Sequence, residues 1–120
     1  MKNIEEIADG IYAYCVYAMD YDMMGLVFDA SSLLSAIKNK KSDLQELSEE
    51  EYITLNETLK TKVSALYERN KAIVEQEIVE GDVVKKMERD DALAEMTQTE
   101  NFMNYLSNVL DYDHVKKIVE

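Results

Sequence analysis

The chain has 120 residues, 47% of them hydrophobic and 32% charged, with a formal net charge of −12 at pH 7. A single domain of this length can bury about two-thirds of its unfolded surface, so no disulfide or metal is required to hold a core. The negative field disfavours direct binding to nucleic-acid phosphates and to anionic membranes and favours a basic protein surface as partner.

The first segment runs from about Asn3 to Met19. Ile4, Ile7, Ile11, Tyr14 and Ala18 recur at steps of three and four, the helical period, and Ala8 and Cys15 widen the stripe. Two acids, Glu5 and Glu6, stand where a signal peptide would carry basic residues. The apolar stretch Ile11 to Met19 is closed by Asp20 and Asp22, far short of the ~20 residues that span a bilayer. A cytoplasmic protein without membrane attachment is expected. Cys15 is the single cysteine, so no intramolecular disulfide can form; its neighbours Ile11, Ala18 and Met19 favour a buried structural thiol over a nucleophile.

Beside the main stripe, Tyr14, Tyr17 and Tyr21 fall within about 60° of one another at 100° per residue. Gly10 lies among them, and glycine inside a helix costs ~1 kcal/mol relative to alanine. A notch rimmed by tyrosines suits close approach by another chain. Gly10, Tyr14, Tyr17, Asp20, Tyr21 and Asp22 are therefore the expected partner-binding residues. The competing explanation is that Gly10 admits a neighbouring helix of the same domain.

A second helix is predicted from about Asp22 to Asn39, with Leu26, Ala30, Leu33, Leu34 and Ile37 along one face. Lys38, Lys40 and Lys41 suit its carboxyl end. Ser42 to Leu47 reads as a connection. Ser48 followed by Glu51 forms a capping box, opening a long helix to about Val79. Tyr52, Leu55, Leu59, Val63, Leu66, Asn70 and Ile73 mark its seam, with a mean step near 3.5, the coiled-coil value. About 30 helical residues span roughly 45 Å, which calls for an antiparallel partner helix or a second subunit, in the simplest case a homodimer. Asn70 in that seam is a candidate for setting oligomer register, at a cost in stability; otherwise it sits at the seam's edge.

Gly81 then fits a helix C-cap and Asp82 the next N-cap. A short helix carrying Val83, Val84, Met87, Leu93 and Met96 should follow, interrupted by the charged run Glu88 to Asp91. The alternative for residues 72–85 is a β-hairpin, although its Val and Ile residues come as adjacent pairs and do not alternate. Thr97 with Glu100 reads as a second capping box, opening a helix with the stripe Phe102, Leu106, Val109 and Leu110. Asp111 or Asp113 can cap a last turn holding Val115, Ile118 and Val119.

The residue types that announce catalysis are sparse. Asp111, Asp113 and the single histidine, His114, offer three local ligands; an exposed capping cluster explains them equally well. No two of the three glycines lie within ten residues of each other, which argues against a glycine-rich phosphate loop. Arg69 and Arg89 lack the following histidine that HEPN-type ribonucleases carry. Glu77-Ile78-Val79-Glu80 and Glu88-Arg89-Asp90-Asp91 resemble the local carboxylate pairs with which helical nucleotide pyrophosphohydrolases bind magnesium. Carboxylates at i and i+3 share a helix face, as a hard cation requires. Only seven residues separate the two pairs, too few to lay two antiparallel helices side by side. Charge is also segregated: Asp43, Glu46, Glu49, Glu50, Glu51 and Glu57 precede Lys60, Lys62, Arg69 and Lys71.

The expectation is one all-α domain over 1–120, an irregular bundle of four to six helices with a long spine at about 48–79. No catalytic, cofactor-binding or metal-binding residue is assigned. The expected function is non-enzymatic: an inhibitor or adaptor presenting an acidic, tyrosine-bearing helical surface to a basic protein. One form is a phage or mobile-element inhibitor that mimics nucleic acid. The alternatives are a structural or regulatory homo-oligomer built on the long helix, and a magnesium-dependent pyrophosphohydrolase.

Overall fold

A computed structural model describes residues 3–21, 37–39 and 44–119, with side chains for all of these except 14–21, 118 and 119. The described residues are helical and contain no strand, which disposes of the β-hairpin at 72–85. Four helices follow in chain order: α1 (Ile4–Tyr21), α2 (Glu49–Val74), α3 (Val83–Asn108) and α4 (Tyr112–Val119). Residues 37–39 are also helical, and most of the segment predicted as the second helix lies outside the described residues.

Local chemistry explains the helix starts. The Glu6 N–H donates to Asn3 Oδ1 at 2.8 Å, capping α1. At α2 the expected capping box is present in both directions: the Glu51 N–H donates to Ser48 Oγ (3.2 Å) and the Ser48 N–H to Glu51 Oε1 (3.4 Å). Glu49, Glu50 and Glu51 add negative charge to the first turn, where the helix dipole favours it. Asp82 caps α3 by accepting from the Lys85 N–H at 3.1 Å.

The helix ends differ from the sequence reading. α2 stops at Val74, with Glu75 as its C-cap, five residues short of Val79. Gly81 is therefore not the cap; it lies in the loop 75–82 at φ +92°, a backbone region that L side chains rarely enter. The short helix and the helix expected to begin at Thr97 are one continuous α3. Thr97 does not cap; its hydroxyl donates to the Leu93 carbonyl inside the helix (3.3 Å). The charged run Glu88 to Asp91 is helical throughout. The spine is accordingly a pair of equal helices, 26 residues each.

These two helices pack as an antiparallel hairpin. Asn56 Nδ2 on α2 donates to the Leu106 carbonyl on α3 at 3.0 Å, which sets the register. Heptad steps from that bond bring Val63 level with Thr99 and Asn70 level with Ala92, and all four are buried. The next step on α2 would fall at residue 77, beyond the end of the helix at Val74, and Lys85 on α3 is exposed. α1 lies along α2, joined by Lys62 Nζ to Asp9 Oδ1 at 2.7 Å, with the same ammonium 5.9 Å above the Tyr12 ring.

The core gathers at the end of the hairpin away from that loop. Ile7, Ala8 and Ile11 of α1 meet Leu55, Leu59 and Val63 of α2 and Phe102 and Leu106 of α3. Ile37, Leu44, Leu110 and Val115 of α4 close it. Each large aliphatic or aromatic side chain here contributes about 1.5–3 kcal/mol by leaving water. The molecule measures 55 × 23 × 22 Å, a rod with its core at one end.

Candidate functional site

Of the residues expected to bind a partner, Gly10 is exposed on α1. Tyr14, Tyr17, Asp20 and Tyr21 belong to the same helix, but their side chains lie outside the described residues, as does the whole of Asp22. The tyrosine flank is thus placed on one helix by its backbone, without a side-chain arrangement. Asn70 is buried, with 3% of its surface exposed, and its amide donates to the Leu66 carbonyl of its own helix at 3.1 Å. The seam is thus filled within one chain at this level, opposite the small Ala92, and needs no second subunit to cover it.

At the core end, polar side chains of α2 finish the carboxyl terminus of α3. The last carbonyls of a helix lack intrahelical donors. Tyr52 donates its hydroxyl to the Leu110 carbonyl at 2.6 Å, and Asn56 Nδ2 reaches the Leu106 and Leu110 carbonyls, each at 3.0 Å. Burial pushes the Tyr52 phenol well above the usual tyrosine range, and the Asp111 carboxylate adds to the rise. The Tyr112 ring is tilted against that of Tyr52, centroids 5.9 Å apart. Beside them an open cleft of about 200 Å³ is lined by Leu44, Leu47, Tyr52, Tyr112, Val115 and Lys116. Its walls are largely aliphatic and aromatic, and Gln45 and Lys116 add polar groups. This end is built for packing, and the sequence reading missed Asn56 because apolar periodicity does not mark a buried amide.

The acidic candidates are arranged for solvent. His114 Nδ1 lies against Asp111 Oδ1 at the surface of the first turn of α4, a side-chain pair three residues apart. Glu77 and Glu80 sit in the loop beyond α2, so they do not share a helix face, whereas Glu88 and Asp91 do, on α3. Among the described residues, no group of three His, Cys, Asp or Glu side chains is placed to hold a metal ion. None of the described Asp or Glu residues is buried. Lys62 is held more firmly protonated than usual, chiefly by its hydrogen bond to Asp9. No helix among the described residues is long and apolar enough to cross a membrane.

The loop end of the hairpin has a different character. Val79, Val83, Val84 and Met87 are 72%, 64%, 66% and 61% exposed, values ordinary for lysines and unusual for a run of aliphatic side chains. Val83, Val84 and Met87 belong to the short helix expected after Gly81, which the structure merges into α3, and Val79 to the expected end of the long helix. They are uncovered because α2 ends at Val74, which leaves the first turns of α3 without a helix alongside.

Comparison of this chain with protein-family models, with curated proteins and with solved structures gave no match.

Proposed function

We propose that this protein is a non-enzymatic binder, an inhibitor or adaptor that presents acidic helical surface to a basic protein in the cytoplasm. The observation that carries the reading is the disposition of the acids. A chain of net charge −12 keeps every described Asp and Glu at least partly in solvent, along a rod 55 Å in length. Such an arrangement steers a basic partner and accelerates its encounter. The exposed glycine of α1, with Tyr14 and Tyr17 on the same helix, adds a place for close approach. A nucleic-acid mimic is one form of this function, with carboxylates occupying sites meant for phosphates.

The protein, immobilised and exposed to bacterial lysate, should retain a basic partner at low salt and release it at high salt. A mimic predicts further that duplex DNA displaces the partner. Retention that neither salt nor DNA disturbs would count against the whole reading.

A further inference from the structure

The loop end of the hairpin combines two properties. One is its exposed aliphatic surface. The other is charge: between Glu75 and Asp91 seven Asp or Glu stand against three Lys or Arg, a net of −4 over 17 residues, compared with −12 over 120 for the chain. The acidic block at the start of α2 has a local explanation, because Glu49, Glu50 and Glu51 cap that helix and suit its dipole. At the loop end Asp82 alone has such a role, as the N-cap of α3; the first turn of α3 carries no acid, so the remaining acids are not explained in this way.

Helical geometry sorts the two properties on α3. At 100° per residue from Val83, Met87 stands at about 40° and Val84 at about 100°. Asp90, Asp91 and Glu88 fall at about −20°, 80° and 140°, in the same arc as the aliphatic residues. Lys85 and Arg89 fall at about 200° and 240°, on the opposite side, and Lys86 at about 300°, beside Val83. The aliphatic face therefore carries three carboxylates in its own arc, with Lys85 and Arg89 turned away and Lys86 at its Val83 edge.

We infer that the hairpin tip, centred on Val83, Val84 and Met87, is a docking site for a basic amphipathic helix of a partner protein. Aliphatic anchors of that helix cover the tip, and its flanking Lys or Arg side chains meet Asp90, Asp91 and Glu88. This is the helix-on-apolar-face mode of recognition, with charge setting partner choice. A second copy of this chain fits less well, because it would bring one acidic border against another. The inference rests on the binder reading above and locates its contact surface.

The test uses the full chain and a dye-labelled synthetic peptide of leucine and lysine, designed as an amphipathic helix. A scrambled peptide of the same composition is the control, and fluorescence anisotropy the readout. The wild-type protein should bind the amphipathic peptide at least tenfold more tightly than the scrambled one. Val84→Gln with Met87→Gln should abolish that preference, and Glu49→Gln with Glu50→Gln should leave it within twofold. If the Val84→Gln/Met87→Gln protein binds like wild type, the tip is not the site, and only this inference falls. If the wild-type protein binds neither peptide, the binder reading falls with it. Self-association of the wild-type protein in sedimentation, lost in the Val84→Gln/Met87→Gln variant, would make a second copy the occupant and overturn the assignment to a basic helix.

Discussion

The two ends of the α2–α3 hairpin follow one register and have opposite fates. At the core end, the heptad positions hold Asn56 and Leu106, then Val63 and Thr99, all buried. At the loop end α2 stops at Val74, so the series has no helical position left to set against Lys85, which is exposed. The intervening row runs likewise: Tyr52 and Leu110 are buried, Leu66 and Met96 half-buried, and Arg89 lies level with Ile73. Helix formation continues past the point where packing ceases. Good intrinsic formers and a capping Asp82 keep α3 helical to its start, although packing supplies most helix stability elsewhere. The lesson is that α3 serves two purposes, with its carboxyl half as core and its amino half as surface.

The contrast can be broken most directly in the core. Phe102 is 1% exposed at the meeting of α1, α2 and α3. Phe102→Ala should cost about 3–5 kcal/mol by lost transfer and residual cavity. Chemical denaturation would measure it, and a loss under about 1 kcal/mol would mean that this end is packed no better than the tip.

Tyr52→Phe is a smaller and pH-dependent probe. At neutral pH it removes one hydrogen bond and should cost about 1 kcal/mol, since the Leu110 carbonyl keeps its bond from Asn56. The folded-state phenol ionises at higher pH than an unfolded one, because burial and Asp111 oppose the charge. Its contribution to stability is thus fully present below about pH 10, the unfolded value, and is lost as pH rises through the folded value. In that window the wild-type protein should lose about 1.4 kcal/mol per pH unit more than Tyr52→Phe. Parallel alkaline unfolding curves for the two proteins would contradict the burial argument.

Much of the architecture was legible in the residues. Ser48 with Glu51 announced the start of α2 and Asp82 that of α3; of the seam, Tyr52, Leu55, Leu59, Val63 and Asn70 are buried, and Leu66 and Ile73 half-buried. The errors share a cause. Thr97 with Glu100 has the spacing of a capping box, but a threonine hydroxyl can equally bond back to the preceding turn, and only the chain around it decides which. Gly81 has the character of a C-cap and so suggests a helix running to about Val79, but α2 stops at Val74 and leaves Val79 72% exposed. Periodicity reports which residues can be buried, and the length of the neighbouring helix decides which are. That is why the sequence places the apolar residues of the tip on a helix without marking them as exposed surface.

The smallest expected effect is therefore the most informative about the comparison. Val84 and Met87 are 66% and 61% exposed, so Val84→Gln with Met87→Gln removes little buried area, and glutamine keeps the helix propensity. Stability in denaturant should change by no more than about 0.5 kcal/mol, as for ordinary surface substitutions. The loss would then be a small fraction of that for Phe102→Ala, although both variants trim aliphatic or aromatic bulk from the same helix. A loss above about 1 kcal/mol would show that the tip is covered in the free protein, and the two ends would differ in degree only. A loss near zero combined with impaired peptide binding would separate stability from recognition along one helix. The apolar residues of the tip would then be kept for a partner at no cost to the fold.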